Sequence, residues 1–312
     1  LMNTVQQPAS EIASTALVPE KHYQKIGGLR YFSSSLSSIL TPIIATAVYS
    51  FSGLEAVLTV DLLTFAVAFI TLMFFIRIPK QSAENAKLSL IKSAKSGLDF
   101  LKSHKQVLML IMYLSAINLV ASMYEAVLPA MVLSRKGGGT QALGAVSTCV
   151  GVATLIGSII ATLMPKPKSR RRVICLSLLF SMSTENFFLA FGQTPLLWCT
   201  GAVLGWILIP MMSANLDVIM RTKVPCDMQG RVYSARNTLQ FFTIPLGNFL
   251  GGLAVDTFAE PLMAAMPHNS LMCNIFGSGK GSGAALIFFI IGIMGVAVCL
   301  IFNSNKHIKE IE

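Results

Sequence analysis

The chain of 312 residues is 54% hydrophobic and only 12% charged, with a mean hydropathy of +0.67, and one soluble core cannot hide that much apolar surface. Its formal net charge of +10 would suit nucleic acid in a soluble protein. Here the basic residues sit in short breaks between apolar runs, facing an anionic membrane surface, and no basic stripe with interleaved aromatics occurs.

The elements follow in chain order. Leu1 opens the chain in place of Met, and LMNTVQQPAS reads as the tail of a span already in progress, without the charged n-region or cleavage site of a signal peptide. The expectation is a fragment or an N-terminally truncated product. Ala9 to Arg30 reads as polar, with a short amphipathic helix over 10–17. Apolar spans follow at roughly 31–52, interrupted by Ser33, Ser34, Ser35, Ser37 and Ser38, and at roughly 56–76. RIPKQSAENAKLSLIKSAKSGLDFLKSHKQ is charged and weakly amphipathic, the natural linker between two halves. Six further spans are expected at about 107–133, 141–164, 173–192, 196–220, 237–256 and 284–303. The expected fold is an all-α polytopic membrane protein with eight spans and a stub.

Two stretches share one grammar. LVPEKHYQKIGGLRYFSSSLSSILTPIIATAVYSF and RTKVPCDMQGRVYSARNTLQFFTIPLGNFLGGLAVD each carry a Val-Pro pair (Val18-Pro19, Val224-Pro225). Each then has basic residues and an apolar helix with an internal proline, Pro42 or Pro245. Parallel copies imply two similar halves: residues 1–78 as the end of the first, 79–105 as a cytoplasmic linker and 106–312 as the second. The intact protein then has twelve spans, so a complete cavity requires the missing N-terminal helices. Of the 24 Lys and Arg, all but Arg135, Lys136 and Lys280 fall on one set of alternate loops. That set is expected to be cytoplasmic, together with the C-terminus.

VPCDMQGRVYSARNTLQ, SGLDFLKSHKQVLML and DTFAEPLMAAMP…GSGKGSGAALIFFIIG resemble loop motifs of the major facilitator superfamily, in the branch with macrolide efflux proteins and the enterobactin exporter. The resemblance covers essentially the whole chain. It implies the major facilitator fold and secondary transport by alternating access, with proton-coupled efflux of a bulky amphipathic macrolide, drug or siderophore-like compound. It also implies a bacterial-type inner membrane as the location. Two positions depart from the pattern. Lys166 stands where the loop before Arg170, Arg171 and Arg172 commonly has an acid, and the glycine-rich antiporter motif is reduced to Thr41-Pro42-Ile43-Ile44-Ala45.

Four acids fall at membrane depth, where a carboxylate costs a few kcal/mol and faces a cavity or a partner. Glu125 shares a helical stripe with Ser115, Asn118 and Ser122, a wet side suited to proton coupling. Glu185 follows Ser177 and Ser181 near mid-membrane and is the second coupling candidate. Asp61 and Asp217 lie near span ends, as gate or interface residues, and an Asp217–Arg221 pair at i,i+4 is a sufficient account of Asp217. Arg170, Arg171, Arg172 and Arg231 are orientation anchors or gate candidates. Asn118, Ser122, Asn237, Gln240 and Thr243 line a substrate route or bond between helices. Pro42, Pro245, Gly247, Gly251 and Gly252 read as helix-packing positions, and Trp198 and Trp206 as aromatics suited to a bulky apolar substrate or to the interface.

No enzyme motif occurs, and GSGKGSG lacks the spacing of a phosphate-binding loop. The six cysteines show neither CxxC pairing nor ligand spacing, so no metal or other cofactor is expected. The expected partners are the amphipathic substrate, protons and the bilayer. A non-transporting membrane partner and an importer of the same superfamily remain open alternatives.

Overall fold

The computed structural model describes residues 18–19, 22–71, 90–267 and 269–311. The predicted opening stub, the amphipathic helix over 10–17 and the first part of the linker lie outside the described residues. Every regular element among them is helical. In order they are α1 Tyr23–Ile70, α2 Leu90–Ser103, α3 Lys105–Ser134, α4 Thr140–Leu163, α5 Arg170–Phe191, α6 Pro195–Trp206, α7 Ile209–Lys223 and α8 Cys226–Leu253. A wider π-turn, Ala254–Ala259, continues α8 into α9 Glu260–Ala265, and α10 Leu271–Phe276, α11 Ser282–Ser304 and α12 Lys306–Lys309 follow.

Six of the eight predicted spans return as helices long and apolar enough to cross a bilayer, over Lys105–Ser134, Thr140–Leu163, Arg170–Phe191, Pro195–Lys223, Met228–Ala265 and Ser282–Ser304. As far as they are described, the first two predicted spans form a single run, α1, interrupted at Gly53, whose φ of 70° is open to glycine and strained for other residues. That helix starts at Tyr23, eight residues ahead of the predicted boundary, so the polar lead-in is itself helical.

The Arg221–Arg236 stretch, expected as a polar loop, is corrected in the same way. α7 runs to Lys223, only Val224 and Pro225 separate it from Cys226, and α8 then proceeds through the whole motif. So tight a turn strands the last carbonyls of α7, and the buried Gln229 side chain supplies donors, its Nε2 reaching Val224 O at 3.2 Å. The loop-like polarity of the motif is the chemistry of a helix start.

The span predicted over 196–220 is broken between Trp206 and Ile209. Pro210 has no N–H for the carbonyl four residues back, so the helix cannot run through that point. Gly157 of α4 lies against the break, where an added Cβ would strike Ile207 O. Covering irregular backbone with a neighbouring helix is what the membrane interior demands.

Because lipid offers little hydrophobic drive for helix association, close contact between small residues holds the bundle. Along the α3–α8 seam an added Cβ at Gly247 would lie 2.5 Å from Leu119 O, and one at Gly251 would lie 2.9 Å from Met123 O. Gly252, expected to pack alongside, faces open space among the described residues. Pro245 is inside α8 on its exposed side. Pro42 lies within α1, and its side chain is outside the described set.

Candidate functional site

A cavity of about 320 Å³ opens between α3, α5, the α6–α7 break and α8, with Tyr31 of α1 on one side. The break explains its position. Gly205 and Trp206 end α6 where the backbone leaves the helical path, and Trp206 enters the cavity wall there. Its indole Nε1–H donates to Glu185 Oε1 at 2.7 Å. Glu185 itself is only 3% exposed. Gly205 clears the space it occupies: an added Cβ would sit 2.5 Å from Glu185 Cβ and 2.6 Å from Oε2. The Tyr124 hydroxyl lies beside the same carboxyl without forming a geometrically sound hydrogen bond to any described residue. Asn186, next along α5, gives its Nδ2 hydrogen to Met182 O, while its buried Oδ1 has no partner among the described residues.

Of the residues singled out from the sequence, Glu125, Glu185, Asn118 and Gln240 all line this cavity. Glu185 is buried and held by Trp206, whereas Glu125 is exposed. Ser122 does not share the stripe's predicted wet face. Its hydroxyl bonds back to Asn118 O and its Cβ faces Gly247, placing it in the α3–α8 seam. Ser115 likewise bonds to Ile111 O within its own helix. Asn237 is buried away from the cavity lining and accepts from the Arg236 guanidinium at 3.0 Å. Thr243 bonds to Gln240 O. Trp198, fully buried, donates to Gly192 O at 2.8 Å and has no place in the cavity.

The basic residues assemble at one end of the bundle, where α1 meets α4 and α7. An added Cβ at Gly27 would lie 2.9 Å from Ala214 Cα, and one at Gly28 would strike Thr162. Around this contact Gln24 Nε2 donates to Met164 O at 3.0 Å, and Arg170 bridges Gln24 Oε1 and Asn215 Oδ1 at 3.1 and 2.8 Å. Neutral amides receive Arg170 there, consistent with the lysine at position 166. Asp217 pairs with Arg30 at 2.5 Å. This partner from α1 is additional to the neighbour expected four residues on, and Arg221 places its guanidinium 5.3 Å from the Tyr23 ring centroid. Arg171 donates to Asn303 Oδ1, Arg231 donates to Ser96 Oγ of α2, and Arg172 is exposed. Asp61 is exposed and has no ion pair among the described residues.

Replacing Asp217 with Arg turns the Arg30 pair into a like-charge contact. Arg30 is 41% exposed, so solvent screens the pair and the expected cost is about 1 kcal/mol, roughly fivefold in the equilibrium for α1 docked against α7. The rate of crosslinking between Gln24→Cys and Met164→Cys in a cysteine-depleted protein should fall, and adding Arg30→Asp should restore it. Unchanged crosslinking would mean that the ion pair does not hold α1 in place.

At the opposite end the buried Arg135 ties three connections together. It donates to Gly192 O at 2.5 Å and to Phe276 O. Burial pushes its pKa down from the ordinary arginine value, and the Glu260 carboxylate offsets part of that. Glu260 Oε1 in turn accepts from the N–H groups of Gly281 and Ala284 at the start of α11. Gly277, Gly279 and Gly281 all have φ between 83° and 87°, so the spacing of glycines in GSGKGSG is a backbone requirement.

Long apolar helices surrounding an internal cavity with carboxylates define a multi-pass membrane protein. Residues 1–248 match the model of the Major Facilitator Superfamily. The chain belongs to that superfamily, on the branch of the macrolide efflux proteins. It is 23% identical over 254 residues to Macrolide efflux protein A of Streptococcus pyogenes, covering 80% of this chain and 62% of that protein. Macrolide efflux protein A of Enterococcus faecalis is also 23% identical, over 77% of this chain and 75% of its own length. An uncharacterized MFS-type transporter of Bacillus subtilis, YfiS, is 23% identical over 97% of this chain and 68% of its own length. The chain thus spans about 62% of the length of the Streptococcus pyogenes relatives.

Proposed function

We propose that this chain belongs to a proton-coupled exporter of bulky amphipathic compounds, working by alternating access between two halves. In this reading residues 1–78 end the first half, 79–105 link the halves and 106–312 form the second. The basic end and the C-terminus are cytoplasmic, following the distribution of Lys and Arg. The contact of α1 with α4 and α7 closes the cytoplasmic side, and its opening admits substrate. Proton coupling falls to Glu185, with Glu125 on the same cavity.

The observation carrying this reading is Glu185: buried, positioned by one neutral indole hydrogen bond, and without a cation partner among the described residues. A carboxylate in that setting exchanges its proton as the access side changes. The relatives named macrolide efflux proteins support the export direction and a bulky substrate.

The test is accumulation of fluorescent amphipathic dyes and macrolides in cells expressing the full-length protein, with and without a protonophore. Expression should lower accumulation, the protonophore should abolish the difference, and Glu125→Gln with Glu185→Gln should leave about a tenth or less of the efflux rate. Undiminished proton-driven efflux by the double variant removes the coupling role from these acids. If well-inserted protein changes the accumulation of none of the compounds, the export reading is overturned.

A further inference from the structure

A second cavity, of about 810 Å³, opens at the basic end of the bundle, and its lining gathers cations from separate elements. Lys25 comes from α1, Lys166 from the connection between α4 and α5, Arg170 from the start of α5 and Lys223 from the end of α7. No Asp or Glu stands among the described lining residues. Arg170 is held by Gln24 and Asn215, whereas Lys25, Lys166 and Lys223 are exposed and have no ion pair among the described residues. Like charges gathered in one hollow repel one another, so the hollow favours an anion. Lys166 takes the place where the superfamily pattern commonly has an acid, which leaves the hollow without that counter-charge. Leu163 forms its lipid side: it lines the cavity and is 78% exposed. It continues the exposed Ile156, Ile159 and Ile160 of α4 at spacings of three and four, as one outward stripe. An apolar stripe of a spanning helix that runs into a cationic hollow fits a molecule with hydrocarbon chains and a negatively charged head.

We propose that this cavity binds the phosphate headgroup of an anionic phospholipid of the surrounding bilayer. Lys25, Lys166 and Lys223 are its donors, each a mobile point charge that suits a phosphate. The acyl chains lie along the stripe that ends at Leu163. A free phosphate ester would share the charge of the headgroup and make no use of that stripe, so the lipid is the occupant. The three lysines belong to α1, the α4–α5 connection and α7, and one headgroup draws together the elements that already meet closely at Gly27 and Gly28. Bound lipid therefore holds α1 docked. The site needs only a bilayer around the bundle and stands apart from the direction or coupling of transport.

The test titrates the purified full-length protein, in neutral detergent, with dioctanoyl phosphatidylglycerol, dioctanoyl phosphatidylcholine and glycerol 3-phosphate, and reads the bound fraction by native mass spectrometry. Phosphatidylglycerol should bind at least about tenfold more tightly than either of the others, and combining Lys25→Gln, Lys166→Gln and Lys223→Gln should cost at least about tenfold of that affinity. Lys95→Gln, Lys102→Gln and Lys105→Gln together remove the same charge from exposed positions on α2 and the start of α3, and should leave phosphatidylglycerol binding within about twofold. Equal affinity for the two lipids, or equal losses in the two triple variants, overturns the site, because the attraction then belongs to the net charge of the surface. Glycerol 3-phosphate bound as tightly as phosphatidylglycerol overturns the lipid assignment in favour of a free phosphate ester. If the first triple variant does not fold, the comparison of the three probes on the unsubstituted protein decides the question. Saturating phosphatidylglycerol should also raise the thermal unfolding midpoint of the unsubstituted protein and leave that of the Lys25, Lys166 and Lys223 variant unmoved. A midpoint that stays put in both overturns the docking of α1 by the lipid.

Discussion

Arg135→Ala is expected to lower the stability of the bundle by about 2–4 kcal/mol, with Arg135→Lys recovering less than half of the loss. The guanidinium makes two charge-assisted bonds, to Gly192 O and Phe276 O, each contributing roughly 1.5–3 kcal/mol. Two effects reduce that sum. Alanine removes the desolvation cost of the buried cation itself, and Gly192 O keeps its second donor, Trp198 Nε1. Most of the remaining loss falls on Phe276 O, and on the packing of the arginine stem against Gly281, where an added Cβ would lie 2.9 Å from Arg135 Cγ. Lysine offers a single point charge and cannot span two carbonyls as the planar fork does. Thermal unfolding of the detergent-solubilised protein is the measurement. A midpoint for Arg135→Ala within error of the unsubstituted protein would mean that the three connections hold without their shared donor.

Arg135 also marks the limit of what the sequence discloses. In the chain it is one of three basic residues on the sparsely charged side, useful for orientation and for nothing else. Its importance comes from Gly192 and Phe276, which are 57 and 141 residues away. The spans were legible because a bilayer imposes length and hydropathy locally, residue by residue. Helix starts were not, because hydropathy cannot distinguish a polar loop from the polar first turns of a helix. Tyr23–Arg30 and Cys226–Arg236 both proved helical for that reason. Gln229 held the clue, a buried-type amide just after a Val-Pro turn whose helix end needs donors.

The candidate site divides in the same way. Helical spacing placed Asn118 and Glu125 on one stripe, and both reach the cavity. It could not place Ser122, since Gly247 of α8 draws that side of α3 into a close seam. Glu185 was legible as an acid in an apolar run, but its setting depends on a helix break twenty residues later. Ile209-Pro210 following Gly205-Trp206 was the available signal: a proline inside a span, with a glycine and an indole just before it. The Asp217–Arg30 pair, 187 residues apart, had no signal in periodicity at all.

On the proposed reading that Glu185 couples transport in the full-length protein, Gly205→Ala is expected to reduce transport at least about tenfold and to destabilise the protein by about 1–3 kcal/mol, although local propensity pulls the other way. Alanine in place of glycine favours a helix interior by roughly 1 kcal/mol. Against this, the new methyl would sit 2.5 Å from Glu185 Cβ and 2.8 Å from its Cδ. A carboxylate at the end of a side chain can swing away, but Cβ moves only with the backbone of α5, so α5 and α6 must separate. Overpacking of that kind costs about 1–3 kcal/mol, and separating the helices also lengthens the 2.7 Å bond from Trp206 to Glu185. Function should therefore suffer more than stability, because the carboxylate is displaced in every molecule that still folds. The discriminating variant is Glu185→Gln in the unsubstituted Gly205 background, which keeps the packing and removes the charge. If Gly205→Ala unfolds earlier than Glu185→Gln and both lose proton-driven efflux, the glycine serves as clearance for the carboxylate. A Gly205→Ala protein with higher thermal stability and full efflux would mean that propensity outweighs the contact and that α5 and α6 are not as closely apposed as the geometry places them.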